Sequence, residues 1–116
     1  MRTFGLLAAV VVVLALASAV SARSAFQPFA NPTLAAQRLT VAARAQGMHL
    51  FHRCAVVNPY LIRCGGYFSG LKPLSTSGKL RARMDWRKVN PYMLYRTTYL
   101  LGGVFERKFI DTRVAY

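Results

Sequence analysis

Hydrophobic and polar positions follow three different rhythms along the chain. Phe4 to Ala22 is an unbroken apolar run behind the basic start Met1-Arg2-Thr3. From Thr33 to Gln46 the apolar residues Leu34, Ala35, Leu39, Ala42 and Ala43 recur at spacings of three and four. That is the period of a helix, with Thr33 as its cap and Gly47 as its stop. Beyond Met48 the helical spacing fades and strand chemistry takes over. Met48 to Val57 and Leu61 to Phe68 flank the turn Asn58-Pro59-Tyr60. In Lys79 to Val89 alternation is strict: Leu80, Ala82, Met84 and Trp86 share one face, and Lys79, Arg81, Arg83, Asp85 and Arg87 the other. Period two over such a length predicts a half-buried strand. Asn90-Pro91 turns the chain into Tyr92 to Leu101, with Met93, Tyr95, Thr97, Tyr99 and Leu101 on one face. Gly102-Gly103 then reads as a two-residue hairpin turn returning through Val104 to Val114. A competing pattern makes Tyr92 to Ile110 one helix, through Leu94, Leu101, Phe105 and Phe109; the paired glycines and the Tyr/Thr content weigh against it.

These elements predict a mainly β protein: a five-stranded antiparallel meander or small barrel over residues 47–116, preceded by a short amphipathic helix (26–46) and an apolar leader (1–25). The leader has the parts of a secretory signal, with small residues at Ala17-Ser18-Ala19 and Val20-Ser21-Ala22 where a peptidase could cut. As a helix, Phe4 to Ala22 would also reach roughly 28 Å, enough to anchor the chain in a bilayer.

Composition sharpens this picture. The 116 residues hold 16 Lys plus Arg against 3 acidic residues, a net +13. Setting aside Arg2, Arg23, Arg38 and Arg44 leaves 12 basic and 3 acidic residues, so the excess of +9 belongs to the β domain. A body this cationic attracts acidic protein surfaces, anionic lipid or RNA. The overall apolar fraction of 54% is inflated by the leader. At about 70 residues, a core alone supplies only ~3–5 kcal/mol, which calls for a staple or a partner. Cys54 and Cys64, placed symmetrically about Pro59, are the candidate staple. A hairpin brings them opposite one another, and a disulfide there would be worth ~2.5–3 kcal/mol by chain entropy.

Catalytic patterns are absent. Asp85, Glu106 and Asp111 are the only carboxylates, too few for an obvious acid and base pair. His49, His52, Cys54 and Cys64 lack the cysteine spacing of a structural zinc site, and on a strand the two histidines would point apart. Gly70 to Gly78-Lys79 has too many residues between its glycines for a phosphate loop, with Leu80 where Ser or Thr is needed. Gly66-Tyr67-Phe68-Ser69-Gly70 misses a nucleophile elbow by one position. Neither enzyme activity, metal nor cofactor is expected. What remains is a cationic docking face: Lys79, Arg81, Arg83 and Arg87, joined by Arg96 from the neighbouring strand. An acidic protein or lipid surface suits it. Nucleic acid stands behind these because Trp86, the natural stacking residue, falls on the apolar face.

Ser24-Ala25-Phe26-Gln27-Pro28, behind the apolar run, resembles the junction of the bipartite presequences of algae with red-lineage secondary plastids. There a signal peptide ends in a small-residue pair, and a phenylalanine opens a basic, hydroxylated, acid-poor transit peptide. Phe29 to Gln46 is similar, with Arg38, Arg44, Thr33 and Thr40 and no acidic residue. Arg23 departs from the small residue expected three positions before the cut. The resemblance implies a plastid address, with the helix as an import element; the residues alone also allow it to be a surface helix packed on the domain. The expected function is a small accessory subunit of an organellar membrane complex, photosynthetic in a plastid and otherwise respiratory. The alternatives are a secreted cationic disulfide-containing effector or antimicrobial protein, and an organellar ribosomal or RNA-binding protein.

Overall fold

A computed structural model describes residues 26–70 and 76–116. The leader and its signal or anchor role lie outside the described residues. Helix α1 spans Pro32–Ala45 and is followed by six strands: β1 His49–Leu50, β2 Ala55–Asn58, β3 Leu61–Ser69, β4 Lys79–Asn90, β5 Met93–Leu100 and β6 Gly103–Asp111. All pair antiparallel in one sheet of order β1-β3-β4-β5-β6, with β2 also on β3. The fold is therefore mainly β with one helix, and it has six strands rather than five. The expected strand Met48 to Val57 is broken at Phe51–Arg53, where the chain leaves β3's edge and returns to it as β2. The path runs from β1 to β6 without closing.

The cap of α1 is Asn31, not Thr33: its side chain accepts a hydrogen bond from Leu34 N at 3.1 Å, and Pro32 follows at the first helical position. Proline there wastes no donor and its φ suits the helix. Ala35, Ala36, Leu39 and Ala43 are buried against the sheet, where they meet Met48, Ile62, Cys64, Ala82, Met84, Trp86 and Leu94. The small alanines let the helix approach the strands closely, and the bulk is supplied from the sheet side by Trp86 and Met84. Thr40 ties the two layers together. Its hydroxyl donates to Ala36 O (2.7 Å) and accepts from Cys54 N (2.9 Å). Upstream, Gln27 bridges to Lys88, Phe29 is buried, and Phe29 N donates to Pro59 O. Among the described residues no helix is long and apolar enough to cross a membrane.

Cys54 and Cys64 form a disulfide, with their Cα atoms 4.3 Å apart across the β2–β3 hairpin. The Tyr92–Ile110 stretch is a hairpin and not a helix, as its aromatic and β-branched content favours. Its turn falls one residue earlier than Gly102-Gly103: Leu101 and Gly102 turn with φ of +53° and +82°, and Gly103 already pairs with Leu100. A two-residue turn with both φ positive matches the twist of the flanking strands, and Leu101 accepts that conformation against its own preference.

Candidate cationic docking face

Strand alternation sends one set of β3–β5 side chains toward α1 and the other set to the opposite face of the sheet. The register fixes which residues meet there: Arg63 opposite Asp85, Gly65 opposite Arg83, Tyr67 opposite Arg81, and Ser69 opposite Lys79. From β5, Thr97, Tyr99 and Tyr95 stand opposite Asp85, Arg83 and Arg87.

A groove of about 640 Å³ opens on this face; Arg53, Arg63, Arg81, Arg83, His52 and Tyr99 line it together with apolar residues that include Phe51, Ala55 and Leu101. No carboxylate lines it. Two adjacent glycines of β3 border it and lack side chains for different reasons, Gly65 on the groove face and Gly66 on the helix side. At Gly66 an added Cβ would lie 2.0 Å from the His49 carbonyl oxygen, so β1 can sit against β3 only over a glycine. At Gly65 an added Cβ would meet nothing within 4 Å, so the space above it is open.

Asp85 sits at the head of the groove and is only 4% exposed. Arg63 donates to both its oxygens, Nε to Oδ1 at 2.9 Å and Nη2 to Oδ2 at 3.3 Å. Arg83 Nε stands 3.5 Å from Oδ1. The hydrogen bond to Asp85 holds the Arg63 guanidinium above its ordinary pKa, against a smaller opposing effect of burial. Arg83 also lies over the Tyr99 ring, 4.2 Å from its centroid. Two arginines are thus held in place beside Arg81 and Arg53, which are exposed and make no ion pair among the described residues. Guanidinium forks fixed in this way suit carboxylate or phosphate oxygens, which they can bind two at a time.

The residues expected to form the face are distributed unevenly. Arg81 and Arg83 line the groove. Lys79 lies at one end of β4, over the Tyr67 ring at 5.3 Å, and Arg87 near the other, over the Phe26 ring at 5.6 Å. Arg96 is not on this face. It pairs in register with Trp86, so it points to the helix side, where it is 5% exposed and bonded to Glu106. Placing it with the β4 arginines overlooked that cross-strand partners share a face, and Trp86 belongs to the core. Arg53 and Arg63 are not among the expected residues, and Tyr99, expected on one face of its strand, shares the face of Arg83. Alternation from Cys64 would have sent Arg63 outward once β3 was tied to β4. Arg53 lies in the irregular stretch before Cys54, where no periodicity assigns it a face.

Of the four His and Cys residues weighed as metal ligands, the cysteines are bonded to each other and the histidines part. His49 stacks on Tyr67 with centroids 4.9 Å apart, while His52 lines the groove. No protein family, curated protein or solved structure matches the chain, so its function has to be read from its own residues.

Proposed function

We propose that the chain is a small non-enzymatic accessory subunit of an organellar membrane complex, docking through the cationic sheet face on an acidic partner surface. The observation that carries this reading is the groove itself. Four arginines and a histidine surround it with no carboxylate among the lining residues, and Asp85, the one carboxylate beside it, is already engaged by Arg63 and Arg83. The leader and the plastid-like junction at Ser24 to Pro28 supply the organellar part of the reading. The Cys54–Cys64 disulfide favours a second one, a secreted cationic protein, because such bonds persist in oxidising compartments. Sequencing the mature N-terminus separates the two: a start near Val20 or Arg23 supports secretion, one near Gln46 supports import, and an intact Met1 supports a retained anchor.

Docking is tested with tagged full-length chain isolated from its own membranes. It should carry a larger assembly at about 0.1 M salt and lose it toward 1 M, as the screening length shrinks from about 10 to 3 Å. Gly65→Glu is the decisive variant. It places a carboxylate opposite Arg83 at a position where the added Cβ meets nothing within 4 Å, and should reduce capture by roughly tenfold or more without loss of fold. Undiminished capture by this variant would remove the groove from the docking surface.

A further inference from the structure

The two edges of the sheet are built differently. One is divided between β1, of two residues, and β2, of four residues with a register shift. The other is β6 alone, a nine-residue strand that has a neighbour on one side only among the described residues. Exposed on or beside it are Leu101 (70%), Val104 (49%), Phe105 (67%) and Phe109 (62%). A long edge strand with exposed aromatic residues and unpaired backbone groups is a template for another strand, and its charges decide which strand it accepts.

Which strand it fits can be read from the hydrogen-bond parity. Thr112 N donates to Tyr92 O at 2.8 Å, and the same register carries Ile110 opposite Leu94 and Lys108 opposite Arg96. In an antiparallel ladder the bonded pairs alternate, so Arg107, Phe109 and Asp111 turn their N–H and C=O groups outward. Their side chains lie on the docking face, with those of Thr97, Tyr95 and Met93. The chain beyond Thr112 turns back toward the sheet, where Tyr116 N donates to Pro91 O, and no other described strand pairs with this edge.

We infer that β6 pairs antiparallel with β6 of a second copy, about a two-fold axis at Phe109. The charges choose this register. A two-fold at Glu106, Arg107 or Lys108 sets that residue against itself, and like charges directly opposed are unfavourable. A two-fold at Ile110 sets Phe109 against Asp111 and leaves Arg107 without an opposite charge. At Phe109, Arg107 of each copy faces Asp111 of the other, Lys108 faces Ile110, Glu106 faces Thr112, and the two Phe109 rings cover one another. No like charges meet. Glu106 keeps its bond to Arg96, and the pairing avoids the register shift between Thr98 and Tyr99 that leaves Phe105 outside the ladder. Arg107 and Asp111 make no ion pair within the chain among the described residues, so both are available to the second copy. A two-fold perpendicular to the sheet puts both docking faces on the same side, doubling the width of the cationic surface.

Cysteine cross-linking of the full-length chain tests the register. Phe109→Cys should form a disulfide-linked dimer under mild oxidation, whereas Phe105→Cys, equally exposed but off the axis, should cross-link at least about tenfold more slowly. Adding Arg107→Asp to Phe109→Cys should slow the cross-link by roughly tenfold, since Asp then faces Asp111. Adding Asp111→Arg as well should restore it. Restoration in the doubly reversed chain also shows that the edge strand is still folded. Equal rates for the two cysteine variants, or no effect of Arg107→Asp, would overturn the proposal.

Discussion

At the residue scale, Asp85 holds the cationic face together and also limits it. It is buried between Arg63 and Arg83 and cancels charge where the face would otherwise be most positive. Asp85→Asn keeps the shape, weakens the bonds to Arg63 and frees both guanidiniums. It should lower stability by about 1–2 kcal/mol, because a charge-assisted bond is lost while half-exposed arginines can still reach water. It should also tighten binding of polyglutamate at low salt severalfold. Thermal unfolding and a titration with that probe read the two effects separately; weaker binding would mean that Asp85 aligns the arginines rather than restraining them. The raised pKa of Arg63 adds no switch near neutrality. A value raised on folding stabilises throughout the range below the ordinary arginine pKa and fades only at higher pH.

At the element scale, the parts of the sequence with a clean rhythm were legible. Strand β4 falls within a residue of its expected bounds, with Leu80, Ala82, Met84 and Trp86 buried, because one face of it meets the core and the other meets solvent. The break between β1 and β2 was not legible, since Phe51, His52 and Arg53 include neither proline nor glycine. The chain leaves the ladder there because Gly66 lets β1 press close while the disulfide pins Cys54 to β3. Arg96 was misplaced for a related reason: its face depends on register, which the local sequence does not carry. Helix α1 was legible as a helix, while its attachment was not, because Thr40 looks like any hydroxylated residue of a basic segment. Its hydroxyl makes the one side-chain hydrogen bond from the helix to the chain beyond it among the described residues, to Cys54 just before β2. Thr40→Val should therefore cost about 1–2 kcal/mol by leaving the Cys54 N–H unpaired in the core, while Thr40→Ser should be nearer to neutral. Denaturant midpoints of the two variants check this, and an equal loss in both would assign the effect to packing.

For the whole molecule the governing fact is size. The described body starts at Phe26, and about 90 residues at 0.05–0.15 kcal/mol each give a stability of roughly 5–13 kcal/mol. Its core is one layer of small helix residues on one sheet face. The opposite face carries arginines and tyrosines and has no second layer packed on it among the described residues. Such a division leaves the disulfide a large share of the margin. Cys54 and Cys64 are 10 residues apart, and closing a ring of that length restricts the unfolded chain by about 2.5–3 kcal/mol. In a domain of this size each kcal/mol moves the midpoint by roughly 4–8 °C. Reduction, or a Cys54→Ala/Cys64→Ala chain, should thus lower Tm by about 10–20 °C. Because the bond also holds Arg53 beside the groove, reduction should weaken binding of the acidic probe at temperatures where the sheet is still folded. If reduction shifts Tm by less than about 5 °C, helix packing carries the stability and the disulfide serves mainly to position the groove.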